Sequence, residues 1–135
     1  MSDNLARNIR TVRSLIEEVW NDGRVELLEQ LLTPDRIDHD PGRREPREAR
    51  LVARHRRAFP DHHQQITDVV AAGDRVVARW TAAGTHLGEF RGIGPTGRTV
   101  QYTGIGMHRL VDARIAETWA QWDELGLIRQ LTEPR

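Results

Sequence analysis

Few residues in this chain have the types and spacing that chemistry requires. Residues 119–123, Trp-Ala-Gln-Trp-Asp, place two indoles, a carboxamide and a carboxylate within one short run. An aromatic surface leading to an acid suits the wall of a small-molecule pocket. Asp123 supports two readings. Desolvated by Trp119 or Trp122, its carboxyl would serve as an acid/base. Standing directly before the amphipathic stretch 124–131, it would cap a helix. Asp38-His39-Asp40 is the second candidate. An imidazole between two carboxylates can act as a general base, with Asp38 orienting His39, or can be a loop histidine held by local hydrogen bonds. No second His or acid stands at a helical ligand spacing there, so no metal site is expected.

The other candidates would bind rather than react. Trp80, Tyr102, Trp119 and Trp122, with Phe59, are either core or a platform for substrate. Gly104 and Gly106 remove side-chain volume beside them, leaving room for a flat, polycyclic, hydrophobic ligand. His108 faces residue 117 across a two-residue turn, or Thr118 after a one-residue slip, and is either a sheet histidine or a substrate contact. His86 reads as an anchor for the glycine-rich loop 88–97. His55, His62 and His63 read as exposed.

Bulk properties narrow the function further. The 135 residues allow one domain, 1–135, with a real core. Twenty basic and twenty acidic residues cancel, which argues against a nucleic-acid partner. There is no cysteine, hence no disulfide, cluster or thiol chemistry. Every basic residue is arginine, which excludes Schiff-base catalysis by lysine. No apolar run reaches membrane-spanning length and no signal peptide is evident, so a cytoplasmic protein without a membrane partner is expected.

The elements that must position these residues follow from periodicity. Leu5, Ile9, Val12, Leu15, Ile16, Val19 and Trp20 make one helical face, capped by Ser2 or Asp3 and stopped by Asn21-Asp22-Gly23. Val25, Leu28, Leu31 and Leu32 form a second short helix ended by Thr33-Pro34-Asp35. Residues 37–41 read as a short extended segment or loop. A third helix spans 46–59, with Pro46 in its first turn. Arg47, Arg50, Arg54 and Arg57 fall on one stripe of it, a solvated face or an attractor for an anion. Arg56 falls within the apolar arc, with a buried carboxylate partner or a snorkelling side chain. Strands follow over 65–72, 75–86, 99–111 and 114–123, the last two turning at Asp112-Ala113, and a final helix covers 124–131. Helices first and a meander of long strands afterwards indicate an α+β fold, a curved antiparallel sheet wrapped over helices.

The chain resembles a known family at residues 58–61 (Ala-Phe-Pro-Asp), Gly73-Asp74-Arg75-Val76-Val77, Gly84-Thr85-His86 and residues 92–98 (Gly-Ile-Gly-Pro-Thr-Gly-Arg). Arg109, Ile115, Glu117-Thr118-Trp119, Asp123 and residues 126–131 continue the match. The family is the SnoaL-like polyketide cyclases, within the cone-shaped NTF2-like fold. The resemblance implies an apolar pocket enclosed by sheet and helices, and a homodimer through the sheet's outer face. It implies intramolecular aldol ring closure on an aromatic polyketide ester in secondary metabolism, with no metal or organic cofactor. It also places residues 38–40 near the cone's mouth. The family's acid/base aspartate and companion histidine fall here on Ala120 and Gly106. Where the family has glycine in the last hairpin turn, this chain has Ala113. The expected function is therefore a cofactor-independent cyclase or isomerase of a polyketide-like substrate, with Asp123, His39 and Asp38 as catalytic candidates. The rivals are a non-catalytic binding protein of the same fold, a structural dimer with a filled core, and an epoxide-opening enzyme. The last would need Arg79 or Arg109 to point inward between carboxylates.

Overall fold

The computed structural model describes residues 3–40 and 47–134; Ser2, Pro41 and Pro46 lie outside them. The first helix, α1 (Asp3–Ser14), continues as a π-helical turn, Leu15–Trp20. In that turn the Asn21 N–H reaches back five residues to the Ile16 carbonyl at 3.1 Å. The chain leaves it at Gly23, whose φ of 74° is open only to residues that tolerate the left-handed region. A single 3-10 turn (Val25–Leu27) leads into α2 (Leu28–Leu31). Then follow β1 (Leu32–Asp38), α3 (Glu48–Ala58), β2 (His63–Ala72), β3 (Arg75–Thr85), β4 (Thr99–Val111), β5 (Arg114–Trp122) and α4 (Glu124–Thr132).

The strands form one sheet in the order β1-β5-β4-β3-β2. Four of them make the expected antiparallel meander. The fifth, β1, pairs parallel to β5 and makes the sheet mixed. Thr33-Pro34-Asp35, read as a helix stop, and Ile37-Asp38, read as a short extended segment or loop, are thus part of an edge strand, the extended alternative. An edge strand tolerates Pro34 because a proline N–H is not required on its free side.

The Asp112-Ala113 turn has φ of 50° and 61°, both positive, as a type I′ hairpin demands. Val111 pairs with Arg114 and Leu110 with Ile115. The register then shifts by one residue, so that Arg109 pairs with Glu117 and His108 with Thr118. The shift comes from a bulge beside Ala116, not from a different turn.

Two apolar clusters support the sheet's concave face. One joins Val12, Leu15, Val19 and Val52 to Val76, Leu110 and Ile115. The other joins Ala58 and Phe59 to Val100, Tyr102, Leu127 and Leu131. Trp80 packs against both. Among the described residues no carboxylate pairs with Arg56. Its guanidinium donates to the carbonyls of Trp20 (3.1 Å) and Asn21 (2.5 Å), capping the end of the first helix. Among the described residues no helix is long and apolar enough to cross a membrane.

Candidate active site

Strand register decides which side chains share the concave face. Val69, Ala78, Gly106 and Ala120 stand side by side across four strands and make a floor of small residues. On one side of that floor runs Val76–His108–Thr118–Asp38. On the other runs Ile66–Trp80–Gly104–Trp122. The result is a slot with a polar wall and an aromatic wall. It opens into a cavity of about 620 Å³ lined also by Trp20, Arg36, Glu48, His55, Phe90 and Tyr102. That volume lies within the range of small-molecule sites, roughly 300–1,000 Å³. The space beside Gly104 is not free, because the Trp80 indole fills the position a Cβ would take there. The open floor lies over Ala78, Gly106 and Ala120 instead.

The polar wall is organised by Arg36, whose side chain is only 8% exposed. Its Nη1 donates to Glu48 Oε1 at 2.8 Å, and its Nη2 lies 3.6 Å from Asp38 Oδ2. Its Nε and Nη2 both donate to Thr118 Oγ1, at 3.3 and 2.9 Å. Trp20 Nε1 holds the other Glu48 oxygen at 2.9 Å. Thr118 Oγ1 also meets His108 Nδ1 at 2.9 Å. Burial and the Arg36 charge push the His108 imidazole down to about 4, against the opposing pull of Glu48 and Asp38.

A second network lies where α3 meets β2 and β4. His55 Nε2 and Tyr102 Oη are 2.5 Å apart, Tyr102 Oη and His62 Nδ1 3.2 Å, and His62 Nε2 and Gln64 Oε1 3.0 Å. With the Gln64 amide so oriented, each donor finds an acceptor in turn. His62 donates to Gln64, Tyr102 to His62, and His55 to Tyr102, which leaves His55 Nδ1 as the unprotonated nitrogen. Burial holds His55 at about 3, depresses His62 and raises the Tyr102 hydroxyl. All three are neutral at pH 7.

The sequence candidates divide between the two faces. Asp38, Trp80, Tyr102, His108 and Trp122 line the cavity. Asp123 does not: it is exposed and its Oδ1 accepts the Gly126 N–H at 2.8 Å, so the capping alternative is what the structure shows. His39 lies on the convex face, with Nε2 2.8 Å from Glu117 Oε2 and its ring stacked on Trp119 at 5.0 Å. Asp38 therefore cannot orient His39 for chemistry in the cavity, since side chains one residue apart on a strand point to opposite faces. Trp119 is a convex-face residue too, with the Arg75 guanidinium 5.0 Å from its ring. Phe59 is buried behind the cavity in the second cluster. Arg79 and Arg109 pair outward with Asp68 and Glu117.

His55 and His62 are the reverse case. Read as exposed, they are enclosed, and His62 is 4% accessible. His63 is exposed as expected. His86 anchors its loop as expected, with Nδ1 accepting the Thr96 N–H at 3.1 Å. Arg36, Glu48 and Thr118 were not singled out by sequence. A signal existed for two of the missed residues: Glu48 and His55 fall four before and three after Val52, on the apolar side of α3.

Comparison with known proteins agrees with this architecture. The SnoaL-like polyketide cyclase profile matches residues 10–131. Aklanonic acid methyl ester cyclase DauD of Streptomyces sp. (strain C5) is 30% identical over 96% of this chain and 84% of its own length. The crystal structure of IdmH, a candidate polyketide cyclase of Streptomyces antibioticus, superposes with a TM-score of 0.79 at 34% identity, covering 92% of this chain and 97% of that one. AclR, a candidate hydroxylase of Streptomyces galilaeus, superposes with a TM-score of 0.84 at 26% identity over 96% and 83% of the two chains. This chain belongs to the SnoaL-like polyketide cyclase family.

Proposed function

We propose that this protein closes a carbocycle on a polycyclic polyketide ester by an intramolecular aldol reaction that needs no cofactor. In that reaction one C–H bond beside a carbonyl breaks and the carbon attacks a second carbonyl of the same molecule. One C–C bond forms, and the attacked oxygen takes up a proton. The observation that carries the reading is the slot itself. Its floor of Ala78, Gly106 and Ala120 admits a flat ring system, Trp80 and Trp122 offer π-surface, and the opposite wall offers hydrogen bonds. Proton transfer belongs inside this cavity and not at Asp123 or His39. Asp38 and the His55–Tyr102–His62 chain are among the groups there that can accept and return a proton.

The convex face supports the dimer. Val70, Val77, Met107 and Trp119 form a continuous row across four strands, and Val70 is 65% exposed. A second copy would cover it.

The test is incubation with aklanonic acid methyl ester, the substrate named for DauD. Ring closure gives a product of unchanged mass and new retention time. Tight binding without conversion would return the chain to a carrier role. Arg36 between Asp38 and Glu48 is an inward arrangement that suits epoxide opening, so an epoxide probe gaining the mass of one water would favour that rival instead.

A further inference from the structure

The reaction needs a group to hold the negative charge that develops on the attacked carbonyl oxygen, and Ala120 and Gly106 on the floor of the slot supply none. These two residues face each other across β4 and β5. The next inward side chain on β4 is His108, and its ring leans back over the gap: a Cβ on Gly106 would lie 3.2 Å from His108 Nε2. The imidazole therefore stands over the floor that Gly106 and Ala120 leave open.

Valence decides which form of the ring is presented there. Thr118 Oγ1 has two lone pairs and one proton. One edge of the Arg36 guanidinium donates to it, Nε at 3.3 Å and Nη2 at 2.9 Å. A guanidinium cannot accept, so among the described residues that bond this oxygen the acceptor for the hydroxyl proton is His108 Nδ1, at 2.9 Å. Nδ1 is then an acceptor, and the neutral ring carries its proton on Nε2. Arg36 is itself held by Glu48 and Asp38, and its charge opposes formation of an imidazolium next to it.

We infer that His108 is a catalytic residue that acts as a neutral N–H donor: its Nε2–H, fixed by the Arg36–Thr118 pair, binds the carbonyl oxygen that becomes the alkoxide over Gly106 and Ala120. Thr118 and Arg36 are positioning residues that set its tautomer. A preorganised donor aimed at developing charge acts on the transition state more than on bound substrate, so it raises kcat with little effect on KM. This assignment rests on the ring-closure reading for its substrate, but the tautomer does not.

Two measurements test it. In ¹⁵N-edited NMR of the imidazoles, His108 should show an unprotonated Nδ1 and a protonated Nε2 from pH 6 to 8, and the Nε2–H resonance should move when 1,8-dihydroxyanthraquinone is added. The Thr118→Val variant should lose the fixed tautomer. In turnover, His108→Phe should lower kcat by roughly 10²-fold or more, as removal of one oxyanion donor does, while His108→Gln, which keeps an N–H, should recover part of it. An Nδ1–H tautomer, titration of His108 between pH 6 and 8, or a His108→Phe enzyme with undiminished kcat would overturn the inference. If the wild type converts no ester, the ring-closure reading fails. The NMR result then still decides the donor assignment.

Discussion

Lowering the pH from 7 to 5 should destabilise this protein through its buried neutral histidines. In the unfolded chain an imidazole takes up its proton near pH 6.5. In the folded protein His55 does so at about 3 and His108 at about 4. Both are depressed, so the native state binds fewer protons than the unfolded state between these values. The stability held by the neutral rings is thus complete above about pH 6.5 and is lost as the pH falls toward 4. Each ring costs ~1.4 kcal/mol per pH unit inside that window, hence about 2 kcal/mol between pH 7 and 5 and about 4 kcal/mol for the pair. The neighbours do not cancel this. His55 faces His62, Arg56 and Arg91, all of which oppose a new positive charge. His108 faces Arg36, whose effect outweighs that of Glu48 and Asp38. Carboxylates held low by hydrogen bonds, Asp61 and Glu117, add their own losses only at lower pH. Urea unfolding at pH 7 and pH 5 measures the difference directly, and a drop in Tm of roughly 10–15 °C is expected for a chain of this size. The His108→Gln variant should show about half the pH dependence. A wild-type midpoint that moves by less than the equivalent of 1 kcal/mol would refute the reasoning.

Further expectations concern single side chains. Asp123→Ala should cost about 1 kcal/mol of stability through the lost α4 cap and leave the rate of ring closure unchanged; a collapse of kcat at full folding would return Asp123 to the mechanism. Ala113→Gly should stabilise by about 1 kcal/mol in chemical denaturation, because a residue at φ 61° has a Cβ to accommodate. Gly104→Ala should destabilise by about 1–3 kcal/mol, since the new methyl meets the Trp80 indole and the core is already filled there; a neutral thermal shift would count against the packing described.

Much of this architecture was legible in the sequence because it is periodic. Alternation over β4 separates Tyr102, Gly104, Gly106 and His108 from Gln101, Thr103 and Ile105, and the structure keeps that division. The α4 boundary follows from Asp123, whose capping role is local chemistry. What was not legible depended on contacts distant in sequence. In β1 the polar residues Arg36 and Asp38 face the cavity while Ile37 faces outward, 53% exposed, the inverse of a core strand. A pattern search therefore leaves an extended segment and a loop both open. Nothing local announces the bulge at Ala116, yet it brings His108 opposite Thr118 instead of Glu117 and so creates the Thr118–His108 contact. His39 looked reactive because two acids flank it, but strand geometry sends its ring to the other face.

The two margins of the sheet bear on how the protein behaves in concentrated solution. A five-stranded open sheet offers two rows of unsatisfied backbone groups, and neighbouring molecules can extend it strand by strand. Both margins here are interrupted. Strand β1 carries Pro34, which lacks a donor, within the irregular stretch between Leu32 and Ile37, and β2 breaks register between Ile66 and Asp68. Edge-on growth is therefore discouraged at both ends of the sheet.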